Sequence, residues 1–324
     1  MVPFASASNV RLVLLDGRDN GQSSLYSDAE LKCIRSTDRT IQEEFIRSGV
    51  LEFATFLQWY IQHEDIPPVQ VHHSSGERSG GINLVAWSAG NTLFIPFFAM
   101  ADSIPEKVRD MIEPYLRSYI VFDVPFYAIG MPAPPSDKVY CPLRDPALSE
   151  SERVVAFPAW LSGYYGKHAP VVRDALTATS LDTFPTPSEF WDGLQKHCDE
   201  HPSPTISRIP KYTLEKISSP EALVRSSLPV LLGFHPEIFA ECTERMVFQE
   251  QNIYFPNVKI QVVGCMQSQG DHLLSAYTIK EMLLRRQAKG IAGRSIRVVP
   301  FDGANHLPHW DAPEPTVKFF VSVM

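Results

Sequence analysis

The chain lacks any apolar run of the ~18–20 residues needed to span a bilayer, so no membrane-spanning helix is expected. It also lacks an excess of positive charge. A formal net charge of −8 over 324 residues disfavours nucleic acid or an anionic membrane surface as partner. Cysteine is scarce: Cys33, Cys141, Cys198, Cys242 and Cys265 are odd in number, dispersed, and never spaced C-x-x-C. That excludes a disulfide framework and a thiol-based metal site, and implies mostly buried, reduced thiols. Met1 to Val10 lacks the basic start and long apolar stretch of a signal peptide, so a cytoplasmic protein is expected. Internal repeats and low-complexity tracts are absent too.

Cofactor signatures are equally missing. Gly76, Gly80 and Gly81 are not followed by Lys-Ser/Thr, so they form no phosphate cradle. His197 and His201 flank Cys198 one turn apart on a possible helix, but H-E-x-x-H is not matched. Neither a cofactor nor a metal is therefore expected. What remains is an ordinary globular composition, 44% hydrophobic and 20% charged, with ample material for a core. Its 27 prolines are unevenly placed, many of them between Pro125 and Pro220.

The most informative stretch is Ile82-Asn83-Leu84-Val85-Ala86-Trp87-Ser88-Ala89-Gly90. An apolar strand pattern breaks at Ser88 between small residues, and an apolar helical run follows from Asn91 to Met100. A strand turning sharply into a helix with serine at the turn is the construction of a nucleophile elbow. The usual string is G-x-S-x-G; here Ala86 stands for the first glycine. Small neighbours suit a turn whose backbone is strained and whose strand and helix pack closely. Trp87, beside the serine, is placed to contact substrate.

Around this stretch, strands and helices alternate. Arg11–Asp16 reads as a buried strand feeding a Gly/Asn/Ser loop from Gly17 to Ser24. Thr40 to His63 reads as a long amphipathic helix with a Thr40–Glu43 capping box, ended by Pro67 and Pro68. His72 to Gly81, with His72 and His73 as solvated histidines, is a polar surface loop. After the elbow come a helix over Glu106–Tyr119 and a strand over Tyr119–Val124. Later elements are a strand over Val258–Gly264, a helix near Leu273–Ala288, a strand over Ser295–Pro300 and a helix over Pro313–Val323. Such alternation implies an α/β fold with a mostly parallel sheet. Between Pro125 and Asn252 no buried-strand pattern occurs, and aromatics sit on helical pieces. The division expected is a core of residues 1–124 and 253–324, with residues 125–252 as a helical lid over the sheet's C-terminal edge, where such sheets bind ligands.

A serine hydroxyl needs a base to take its proton. The candidate is His306, in the loop Phe301-Asp302-Gly303-Ala304-Asn305-His306-Leu307-Pro308-His309-Trp310 just past the last strand. The order of elbow serine, helical insertion and late histidine resembles the α/β-hydrolase superfamily. LVLLDGRDNGQSS is similar to the D-x-R-G-x-G-x-S segment after that fold's fourth strand, and GANHLPHW to its histidine loop. The stretch to WYIQHEDIPP, with the elbow, resembles fungal serine α/β-hydrolases.

That resemblance implies a triad acid after the seventh strand, here VKIQVVG. The usual position holds Gln267 and Ser268, so Asp271 is the first choice and Asp123, at the end of the sixth strand, the alternative. It implies an oxyanion donor at the Ala89 N–H. It also implies three strands before LVLLD that the chain does not contain, the third of which would supply the second donor. An N-terminally truncated gene product is the expectation, unless Gly17–Gly21 or His72–Gly81 substitutes. Losing one oxyanion donor typically costs ~3 kcal/mol. The activity implied is an esterase-like serine hydrolase acting on a small, largely apolar acyl substrate. The alternative is an impaired relative that only binds such a ligand. Oligomeric state is not legible.

Overall fold

In the computed structural model the chain is a mixed α/β protein built on a four-stranded, wholly parallel sheet. The structure describes residues 1–72, 74 and 76–324; His73 lies outside them. The strands are β1 (Ile82–Trp87), β2 (Leu116–Phe122), β3 (Lys259–Cys265) and β4 (Ile296–Phe301), side by side in chain order. All four were legible as apolar runs, within a few residues at each end. The arrangement is compatible with an α/β-hydrolase-type core.

Each strand sends alternate side chains to opposite faces, as the two-residue period requires. Leu84, Ala86, Tyr119, Val121, Ile260, Val262, Ile296 and Val298 enter the larger core. Ile120, Phe122, Val263 and Cys265 enter a smaller one with Phe320 and Val323. The larger face is covered by α1 (Arg39–His63), α2 (Asn91–Ala99) and α3 (Gly270–Ala288), the smaller by α4 (Pro313–Val323). Among the described residues, no helix is long and apolar enough to cross a membrane.

Several expectations need correction. Helix α1 is capped by Asp38, whose carboxylate accepts the Thr40 and Ile41 N–H groups at 2.8 and 3.3 Å, so the Thr40–Glu43 box is not used. The helix expected over Glu106–Tyr119 stops at Ile112, because β2 already begins at Leu116. His197 and His201 lie outside any helix, which removes their one-turn spacing. Of the five unpaired cysteines only Cys242 and Cys265 are buried, so the thiols are not mostly interior.

The largest departure is Arg11–Asp16, which forms no strand. A strand needs a neighbour's N–H and C=O groups as well as an apolar pattern, and this segment reaches none. It runs instead beside α1, with Arg11 paired to Glu64 at 2.8 Å and Arg18 to Glu52 at 3.0 Å. Leu14 is left 79% exposed and Leu15 50%. Strand β1 pairs only with β2, and among the described residues no strand pairs with its outer edge.

Between β2 and β3 the described chain contains helices and no strand. Its side chains Leu176, Phe190, Ile238 and Phe239 join the same core as the sheet. Gly130 ends the turn that follows β2, with φ +75°. A Cβ there would lie 2.0 Å from the Ala240 amide nitrogen and 2.5 Å from the Pro236 carbonyl oxygen. Backbone cannot yield as a side-chain tip can. Gly130→Ala is therefore expected to lower the unfolding free energy by ~2–4 kcal/mol, read as a reduced urea midpoint at unchanged slope.

Candidate active site

Ser88 follows the last residue of β1 directly, and its backbone is left-handed, with φ +53°. A non-glycine residue held there is strained by ~1–3 kcal/mol and persists only if its surroundings impose it. Asn91 provides much of that restraint. Its buried side-chain amide donates to the carbonyls of Ala86, at 2.9 Å, and Ser88, at 2.8 Å, while its oxygen accepts the Tyr119 hydroxyl at 2.7 Å. The elbow is thus bolted to the neighbouring strand from beneath. Glycine is less critical than the motif suggests: a Cβ on Gly90 would meet the Ala86 Cβ at an ordinary 3.8 Å. Ala89 sits in the Ser88–Gly90 turn, where a helix start leaves amides without intrahelical partners.

Asp123 is the first residue beyond β2, and it too is left-handed, with φ +47°. Its N–H extends the ladder to the Val263 carbonyl at 2.9 Å. Its carboxylate accepts from the Cys265 N–H at 3.0 Å, the Ser268 hydroxyl at 2.6 Å and His306 Nδ1 at 2.6 Å. Both Asp123 and His306 are completely buried.

Asp271, the first choice from sequence, is placed elsewhere. It lies in the first turn of α3, which begins at Gly270 rather than Leu273, and its Oδ1 meets the ring of its own neighbour His272 at 2.9 Å. The structure therefore sets Asp123, not Asp271, against His306. The turn at Asp123 brings its carboxylate onto His306, whereas Asp271, at the start of α3, has its Oδ1 taken up by the His272 amide and ring.

Because Asp123 can only accept, His306 carries its proton on Nδ1 and presents a lone pair at Nε2. Nε2 is buried and has no hydrogen-bond partner, the Ser88 hydroxyl included. The His306 loop is fastened on two sides. Trp87 donates its indole N–H to the His306 carbonyl at 2.8 Å, and its ring lies 4.9 Å from the imidazole. Asn305 donates to the Ser162 carbonyl at 3.0 Å and to Thr205 at 2.9 Å, both in the helical insertion. Trp87, expected to touch substrate, also ties the elbow to the histidine loop, and it remains 37% exposed.

The electrostatics follow from burial. Desolvation opposes ionisation of Asp123, but the nearby His272 charge and the His306 and Ser268 hydrogen bonds outweigh it and hold the carboxyl below its usual range. Burial, then the charge of His272, push His306 down, against the pull of Asp123. Asp123, His272 and His306 are also the described residues whose donor atoms, within 4.8 Å of one another, could hold an ion together. The direct Asp123–His306 hydrogen bond already engages two of the three.

Sequence reasoning missed Asn91, Tyr119, Ser268 and His272; only the H-L-L-S run after Asp271 carried any sign of the last. It offered two substitute oxyanion loops. Gly81, the last residue of His72–Gly81, joins β1 at the end opposite Ser88, ~20 Å away along the strand. Gly17–Gly21 is tied to the insertion and to Tyr26, through Asp19 with Arg225 and with the Tyr26 N–H.

No protein-family model matches the chain, and no curated protein does. Among solved structures it is similar to a marine microorganism esterase, at 13% identity and a TM-score of 0.32, covering 100% of this chain and 89% of that one. A superposition that loose bears on neither the chemistry nor the site.

His309, edge-on to Trp87 at 4.6 Å, is pushed down to about 4, by burial first and by the His306 charge second. Its folded value lies below the ordinary unfolded ~6.5, so its contribution to stability is complete above that pH. It is lost as pH falls towards 4. Unfolding free energy should decline by ~2 kcal/mol over that window, and His309→Gln should flatten the decline in urea titrations at stepped pH.

Proposed function

We propose that the protein is a serine hydrolase of esterase type, acting on a small, largely apolar carboxylic ester or related acyl compound. The observation that supports it most is the buried Asp123–His306 hydrogen bond, which leaves a lone pair at His306 Nε2 on the loop that Trp87 ties to Ser88. Ser88 Oγ attacks the acyl carbon as its proton passes to Nε2, and the Ala89 N–H receives the oxyanion. The imidazolium then protonates the leaving alcohol. Water, deprotonated by the same nitrogen, cleaves the acyl-enzyme. The gap between Ser88 and Nε2 is compatible with this, since catalytic hydrogen bonds often tighten only once substrate is bound.

On this reading residues 125–252 form the lid. Ser162 and Thr205 hold Asn305, while Tyr164, Thr205 and Arg208 converge on Asp311 just beyond the histidine loop.

A fluorophosphonate probe should label the folded protein, and Ser88→Ala should abolish labelling and hydrolysis of short p-nitrophenyl esters. At pH 8, Asp123→Asn should lower kcat by ~10³–10⁴, and Asp271→Asn by less than ~10-fold. Equal losses would return the acid role to Asp271. Unlabelled but well-folded protein would leave the ligand-binding reading, to which the complete burial of His306 already lends some weight.

A further inference from the structure

A second imidazole–carboxylate pair stands against the first. His272 Nδ1 meets Asp271 Oδ1 at 2.9 Å, and the His272 ring lies 4.4 Å from that of His306. His272, Asp271, His306 and Asp123 are all buried, and the Nε2 atoms of both histidines lack partners. The four groups thus form one enclosed set of two acids and two bases.

Among the described residues, the groups that act on it most from the elements packed around it are neutral. Facing it are Tyr127 from the turn after β2, Cys141 and Tyr165 from the insertion, and Cys265 from β3, each pushed up by burial and so kept neutral. His309, on the histidine loop, is pushed down and neutral as well. Two enclosed carboxylates with no cation beside them are costly, so a proton belongs on one imidazole.

The two dyads are not equivalent. Asp123 spreads its charge over the Cys265 amide and the Ser268 hydroxyl as well as His306. Asp271 Oδ1 accepts from the His272 N–H and the His272 ring, so its charge falls on that one residue. We propose that His272, clamped by Asp271, is the resident cation of this site, keeping Asp123 ionised and the proton off His306 Nε2. This rests on His306 being the base. His272 touches no reacting atom; it is a positioning residue acting through its charge. The direction of its own affinity agrees: burial opposes protonation, but Asp271 and Asp123 together raise it.

The role makes the resting enzyme competent at lower pH than an ordinary histidine would allow. A cation 4–5 Å away disfavours protonation of His306, so removing it moves the acidic limb of kcat/KM for a p-nitrophenyl ester upward, by about one pH unit. His272→Gln should show that shift, and Asp271→Asn a smaller one in the same direction. A residue that merely fills space would lower the rate at every pH and leave the limb in place; that result, or a downward shift, overturns the proposal.

Imidazole resonances of the Ser88→Ala protein, followed by NMR across pH 4–9, give a reading that needs no turnover. His272 charged and His306 neutral at pH 7 is expected, and the reverse order overturns the assignment even in an active enzyme. If the ester assay fails while the resonances titrate as stated, hydrolase function falls and the charge assignment stands. Stoichiometric Zn²⁺ binding that suppresses both titrations, and is lost in His272→Gln, would show a metal site in its place. Thermal melts identify a variant that does not fold, and Asp271→Asn, which keeps the ring, then carries the test.

Discussion

The hydrogen bond between Asp123 and His306 lies where three successive strand ends meet. One carboxylate at the end of β2 receives a backbone amide from β3, a hydroxyl from the loop after β3, and an imidazole from the loop after β4. Three successive strand ends are therefore held in register by a single acid. Burying a charge is unfavourable unless its acceptor sites are filled, and here three donors fill them. Removing one partner of such a buried pair typically costs ~3–5 kcal/mol, so the arrangement is as much a structural joint as a chemical one.

The two left-handed residues extend the same principle. Ser88 and Asp123 each follow the last residue of adjacent parallel strands, at the sheet's C-terminal edge, and both are left-handed. Neither is glycine, so both conformations are strained and must be imposed from outside. At Ser88 the brace is Asn91, itself held by Tyr119 on β2; at Asp123 it is β3 and Ser268. The sheet thus supplies the restraint for the groups displayed at its edge, which is where open α/β sheets take ligands.

Much of this was legible because it is local. Ser88 and His306 each sit in a short string whose meaning depends on the elements on either side, and those elements announce themselves as apolar runs. Sequence put Asp271 ahead of Asp123, because chain spacing says how far a carboxylate lies from a strand and nothing about which way the backbone turns there. The left-handed φ of Asp123, and the extra ladder bond from its N–H to Val263, accompany the placement of its carboxylate against His306. Asn91 with Tyr119, and His272 with His306, are partners 28 and 34 residues apart, and no window of sequence displays such pairs.

Arg11–Asp16 shows the opposite failure, a local signal overruled by its surroundings. Leu12 to Leu15 has the composition of a buried strand, but a ladder is a property of two segments. Among the described residues, no strand pairs with the outer edge of β1, the other candidate for pairing. An exposed apolar segment and, among the described residues, a sheet edge without a strand neighbour thus coexist in one molecule. Strand propensity proved reliable for β1 to β4 because each lies beside another strand. The four-stranded sheet holds Ser88, Asp123 and the His306 loop at successive strand ends without help from Arg11–Asp16.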